Sequence, residues 1–277
     1  MTPEERARFY AERDARTIAY GSTDAALERP VMLVVGEAAA SRPGQVALLA
    51  LANMVARTQR HLHVCLPDVP LRAHALLAGG TLAEAVADTV MAINPAMDLS
   101  IEVDREIVFR VPPDIALECV PQRAITIGIG ADMSGGFDVY LGWKGGRAEL
   151  ATEPGITSGT SADVLGAATA ACLGAAAVFH LSHDRPVTPV QLNLAERTAI
   201  PMISFTELST RAGTTSIEGP LDVGNLVLVG AGALTHALAY WLAEIGVIGR
   251  RRVIDRDVAE LHNTAASGSS WTLDRRH

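Results

Sequence analysis

One stretch constrains the fold of this chain more than any other: residues 226–263, LVLVGAGALTHALAYWLAEIGVIGRRRVIDRDVAELHN. Leu226–Val229 is a short apolar run of the length expected for a buried parallel strand. Gly230-Ala231-Gly232 follows at once, so the backbone can turn tightly and approach a ligand. A helix then starts near Ala233, and its first N–H groups are free to hold a phosphate. Val253-Ile254 forms the next strand, and Asp255 stands at its carboxyl end, where a carboxylate accepts from a ribose hydroxyl. Strand, glycine turn, helix, strand and acid together point to a nucleotide.

Spacing leaves the kind of nucleotide open. A glycine turn with a distal acid suits NAD as well as ATP, and Thr235 stands where GxGxxG has its third glycine. The residues after the strand narrow the choice: Asp255-Arg256-Asp257, then Glu260, then Asn263. This run resembles the ThiF/MoeB/HesA family, the adenylating enzymes that include the ubiquitin-activating type, whose pattern is GxGxxG, a helix and then D-x-D-x-V-x-x-x-N-L-x-R-Q. The resemblance implies an ATP site with Gly230, Gly232 and Ala233 at the phosphates and Asp255 on the ribose. It places Asp257 and Asn263 beside ATP and the acceptor's C-terminus. Magnesium would arrive with the nucleotide. The partner would be a ubiquitin-like or peptide carrier with a free C-terminus, activated as an acyl adenylate, and the family usually dimerises.

Two departures from that pattern bear on the chemistry. The family's arginine, three residues past the asparagine, is Ala266 here, and its glutamine is Ser267. An arginine gives charge-assisted bonds to phosphate and an alanine gives none, so charge stabilisation at the phosphate is expected to be weaker. The family continues with a lysine, further βα units and an aspartate, whereas TAASGSSWTLDRRH follows Asn263 here. The unit is therefore expected to be a truncated copy, or to be completed by strands from the N-terminal part.

The rest of the chain reads as a second α/β region. Val31–Val35, a loop through Gly36, Ser41, Pro43 and Gly44, a helix Gln45–Arg57 and a strand His63–Leu66 repeat the order strand, turn, helix, strand, with Asp68 after it. Gly36 and Gly44 are too far apart to cradle one pyrophosphate, so this copy is expected to be Rossmann-like without a nucleotide motif. A helix is expected over Leu82–Ile93, and strands over Leu99–Val103, Ile107–Val111 and Ile125–Ile129. Phe137–Leu141 reads as an extended run, and Gly142-Trp143-Lys144-Gly145-Gly146 reads as a hairpin tip or bend. Ser161–Leu181 is an alanine-rich helix whose Gly166, Ala170 and Gly174 permit close packing. The strand pair with Gly-Trp, and the helix running to Phe179, resemble multi-domain bacterial relatives of the adenylating family.

Composition excludes several classes. With 277 residues, 49% apolar and 4% aromatic, the chain suits an alanine-rich globular α/β protein. A net charge of −8 with no dense basic cluster argues against nucleic acid. Arg250-Arg251-Arg252, the single basic run, reads as a solvated turn before the second strand. Cys65, Cys119 and Cys172 form no CxxC pair, so no structural zinc is expected, and Cys172 reads as core packing. A cytoplasmic setting fits these thiols, the charged N-terminus is unlike a signal peptide, and no apolar run of about 20 residues suggests a membrane span. His61 and His63 share a strand face; His180, His183 and Asp184 could form part of a metal site, though a helix C-terminus also favours histidine. His236 and His262 flank the nucleotide motif, and no GxSxG elbow supports hydrolase chemistry.

The expected organisation is a helical segment over 1–29, an α/β Rossmann-like region over 30–221 and a ThiF-type βαβ unit over 222–277, all in a doubly wound, mostly parallel α/β fold. The expected activity is that of an ATP-dependent adenylyltransferase. Two alternatives stay open: a catalytically inactive scaffold or partner subunit of an adenylating complex, and an NAD-dependent oxidoreductase.

Overall fold

The computed structural model describes residues 1–19, 21–72, 77, 80–104, 123–134, 136–156, 164–193, 198–201, 222–229 and 233–254. Two helices, α1 (Pro3–Ala19) and α2 (Asp24–Glu28), lead into β1 (Val31–Val35). A one-turn 3-10 segment and the long helix α3 (Arg42–Thr58) connect β1 to β2 (His61–Pro67), and α4 (Leu82–Ile93) connects β2 to β3 (Asp98–Asp104). Then come β4 (Ile125–Ile129), β5 (Val139–Lys144), β6 (Arg147–Ala151), α5 (Leu165–Ser182), β7 (Val190–Asn193) and β8 (Thr198–Pro201). The C-terminal part holds β9 (Asp222–Val229), α6 (Ala233–Glu244) and β10 (Ile248–Ile254).

β1 to β8 form a single sheet in the order β3-β2-β1-β4-β5-β6-β7-β8. From β3 to β5 every pairing is parallel, and from β5 to β8 every pairing is antiparallel. The fold is thus α/β with a mostly parallel Rossmann-like centre: the chain steps outward from β1 to β2 to β3 and returns to pair β4 on the other side of β1. Central strands buried on both faces should be continuous apolar runs, and β1 (VMLVV) and β4 (ITIGI) are buried at every position.

One face of the sheet carries the main core. Val31, Leu33, Val35, Leu62, Val64, Leu66, Ile125, Ile127 and Ile129 pack with residues of α3, α4 and α5 in one cluster. On the other face Met32, Val34, Cys65 and Tyr140 meet Met133, Phe137 and Ile156. The close packing expected of α5 is present: a Cβ on Gly174 would stand 2.5 Å from Leu141 Cδ1, and one on Gly166 would stand 2.2 Å from the Gly145 carbonyl oxygen. At 18 residues α5 is long and apolar enough to cross a membrane, yet it packs on α3, β5 and β6 as a core helix.

Three local expectations need correction. Trp143 is wholly buried inside β5, and the bend falls at the two glycines after Lys144, where Gly145 has φ 57°. The bend is there because β5 and β6 pair antiparallel up to Lys144↔Arg147, which leaves only the two glycines to turn. Cys172 is exposed, on the side of α5 turned away from the buried Ala167, Ala170, Ala171 and Gly174. The arginine run 250–252 lies within β10, because the chain turns earlier: Gly246, at φ 74°, ends α6, and the Val247 N–H returns to the Leu242 carbonyl. The strand expected over 107–111 lies outside the described residues.

Candidate functional site

The C-terminal strand, helix and strand adopt the arrangement their sequence suggests. β9 and β10 are parallel neighbours joined through α6, and Arg252↔Val227, Val253↔Leu228 and Ile254↔Val229 are in register. The two strands therefore end side by side at their carboxyl ends. Ala233 opens α6. Gly230, Gly232, Asp255, Asp257 and Asn263 lie outside the described residues, as do His262, Ala266 and Ser267.

Helix α6 is fastened to the N-terminal region. Trp241 and Ile245 pack on Val46 of α3 and on Val164 and Ala168 at the start of α5. Arg42, in the first turn of α3, donates to the Glu244 backbone carbonyl at 2.5 Å and to its carboxylate at 3.1 Å, and the Glu244 side chain is fully buried. A buried carboxylate held by an arginine fixes where the last turn of α6 sits.

The strand order reverses between β1 and β4, and in open α/β sheets the crevice at that point, outside the strand carboxyl ends, is where ligands bind. Here groups of the chain itself meet at the turn after β1. The Glu37 N–H, first after the turn from β1, donates to Asp132 Oδ2 at 2.7 Å. Ala38 sits over Gly130 (φ 110°), where a Cβ would come within 2.8 Å of the Ala38 methyl. The Gly44 N–H, in the first turn of α3, donates to its N-cap hydroxyl on Ser41, and a Cβ on Gly44 would collide with the Ala38 carbonyl at 1.9 Å. Buried Gln45 ties the same turn to Ala39 and Pro70 through its amide nitrogen. A carboxylate on the turn amide occupies the position in which a phosphate would be the anion. Gly44 serves packing of the turn against the helix.

Among the titratable side chains, His180, His183 and Asp184 are not gathered into one ligand set. His183 shares a hydrogen bond with the Ser22 hydroxyl at 3.2 Å and another with the Phe179 carbonyl at 2.8 Å, and Asp184 accepts from Arg29 at 2.7 Å. His61 is held between Glu28 (2.7 Å) and Asp98 (3.1 Å).

His63 differs. It is 9% exposed, its Nε2 has no hydrogen-bond partner among the described residues, and Glu102 Oε2 of β3 stands 3.5 Å away. Cys65, two residues along the same face, donates its thiol to Glu102 Oε2 at 3.8 Å, and burial, with the Glu102 charge added, pushes that thiol up to about 12. The sequence signal was His-x-Cys on one strand; the third member became visible only with the register Cys65↔Glu102.

Crystal structures of E. coli MccB with selenomethionyl MccA and with a succinimide share 11% and 13% identity with the chain, at TM-scores of 0.47 and 0.48. These matches cover 73% and 70% of this chain and 72% and 70% of the MccB chains. At such identities and scores they assign no activity. The uncharacterized protein y4jF of Sinorhizobium fredii (strain NBRC 101917 / NGR234) is 29% identical over 246 residues, covering 88% of this chain. The chain spans 42% of the length of y4jF. Residues 30–191, which run from the threshold of β1 into β7 and hold the reversal point, match the model of the BilD N-terminal domain. That match takes in well over half of the sequence, and the chain belongs to the BilD N-terminal domain family.

Proposed function

We propose that this chain joins an N-terminal Rossmann-like domain, which does not itself bind nucleotide, to the first βαβ element of an ATP site of the ThiF adenylating type. The observation that carries the proposal is the register Ile254↔Val229. The residues next in sequence after that pair are Gly230 and Asp255, the phosphate-side glycine and the ribose acid of the motif. A parallel pair ending in step brings such residues to one end of a sheet, where the crevice of a nucleotide fold lies. Asp257 and Asn263 would follow toward the acceptor.

In that chemistry an oxygen of the carrier's C-terminal carboxylate attacks the α-phosphorus of ATP. The bond from the α-phosphorus to its bridging oxygen breaks, and pyrophosphate leaves with its magnesium. The site has to position the two reactants and stabilise charge, and no protein nucleophile is needed. The acceptor is a ubiquitin-like or peptide carrier with a free C-terminus.

A second reading has its own support. At the crevice between β1 and β4 the turn amide of Glu37 is taken by Asp132 and Ala38 packs on Gly130, while the same domain holds α6 through contacts to Trp241, Ile245 and Glu244. These contacts suit a scaffold half that orients an adenylating unit without catalysing.

Calorimetry with ATP and with NAD, followed by pyrophosphate exchange with candidate carriers, separates the readings. ATP should bind, and Asp255→Ala should weaken it by about ten- to a hundredfold through loss of a charged hydrogen bond. ATP binding without exchange selects the scaffold. Tight NAD binding with none for ATP overturns both.

A further inference from the structure

We propose that His63, Cys65 and Glu102 form a three-ligand site for Zn²⁺ on the sheet face opposite helices α3 and α4. This proposal is independent of the nucleotide reading. The three candidate donor atoms, a ring nitrogen of His63, the Cys65 Sγ and a Glu102 carboxylate oxygen, lie within 4.8 Å of one another. Zinc binds nitrogen, sulfur and oxygen at about 2.0–2.3 Å in a tetrahedron, so its ligand atoms should stand about 3.3–3.8 Å apart. The separations from Glu102 Oε2 are 3.5 Å to His63 Nε2 and 3.8 Å to Cys65 Sγ.

The strongest sign is the state of His63. A buried ring nitrogen without a hydrogen-bond partner is costly, and native proteins rarely leave one so. His61, on the same face two residues earlier, shows the ordinary alternative, with a carboxylate on each nitrogen. His63 Nε2 instead stands 3.5 Å from a carboxylate oxygen that also accepts from the Cys65 thiol, and a cation would satisfy all three.

Donor chemistry selects the ion. Calcium and magnesium take oxygen ligands, whereas one imidazole, one thiolate and one carboxylate suit a borderline ion such as zinc. On binding, the Cys65 thiol releases its proton to solvent and the thiolate enters the coordination sphere. Strand geometry fixes His63 and Cys65, since i and i+2 project from one face of β2, and Glu102 is the register partner of Cys65 on β3. Glu102 is 54% exposed, so the fourth position opens toward water.

Titrating chelator-treated protein with Co²⁺ and then Zn²⁺ tests the site. One cobalt per chain should bind, with visible d–d bands and a near-ultraviolet thiolate charge-transfer band, and zinc should displace it. Cys65→Ser should abolish the charge-transfer band, while the double variant Cys119→Ser/Cys172→Ser should keep it. Glu102→Gln alters an exposed carboxylate and should leave the melting curve in place while weakening zinc by on the order of tenfold or more. Absence of stoichiometric cobalt, a charge-transfer band that survives Cys65→Ser, or zinc affinity unmoved by Glu102→Gln would each overturn the proposal.

Discussion

Asp14 shows how much can hang on one buried carboxylate. It is 2% exposed, with Oδ1 accepting from Arg13 at 2.5 Å and Oδ2 accepting from Arg60 at 2.9 Å. Both guanidiniums also lie near the Tyr10 ring, at 4.6 and 4.7 Å from its centroid, and Arg13 is itself 1% exposed. Removing the carboxylate leaves a buried cation without its counter-charge, so Asp14→Ala should destabilise the protein by about 3–5 kcal/mol in denaturant unfolding. Asp14→Asn, which keeps a hydrogen-bond acceptor, should cost less. Gly166 offers a test of sterics against propensity. On an exposed helix Gly→Ala stabilises by about 0.5–1 kcal/mol, but here the new methyl would meet the backbone carbonyls of Gly145 and Arg147 at 2.2 and 2.7 Å. Gly166→Ala should therefore lower stability, by about 1–3 kcal/mol on the same measurement. That small residues line α5 was legible in the sequence; which carbonyls they face was not, because β6 is brought to them by pairing.

Elements were the most legible scale. The apolar runs at 31–35 and 125–129 and the helix at 82–93 fall where the pattern places them, because period and capping are local properties. Thr81 and Glu84 form a capping box that starts α4 without any tertiary help. The elements that strayed did so for non-local reasons: Trp143 and the arginine run were drawn into strands by pairing with β6 and β9. How α6 sits is likewise a matter of contact. Trp241→Ala should loosen its docking on Val46, Val164 and Ala168, and amide hydrogen exchange should quicken across 233–244 while the core strands β1 and β4 keep their protection. Uniform quickening throughout both regions would instead mean that docking and core open together.

For the whole molecule, the polar network under α1 and α2 couples stability to pH. Glu28 faces Arg60 at 2.5 Å and His61 at 2.7 Å, with Asp14, Asp24 and Asp98 on the same two partners. Burial pushes its carboxyl up, but the hydrogen bonds and charges of His61 and Arg60 outweigh that, and the net effect holds it below the usual glutamate value. A carboxylate with a lowered folded-state pKa contributes stability above its unfolded value and loses it as pH falls through the folded one. The melting temperature should thus drop on acidification below the ordinary glutamate range, and Glu28→Gln should flatten that acid limb. By itself the sequence determined the α/β class and the strand–helix–strand units, because hydrophobic period acts over a few residues. Only the tertiary structure decided the strand order, the carboxylate of Asp132 in the first crevice and the meeting of His63 and Cys65 with Glu102. Each depends on register between strands far apart in the chain, and register comes from packing of the entire sheet, which no local pattern encodes.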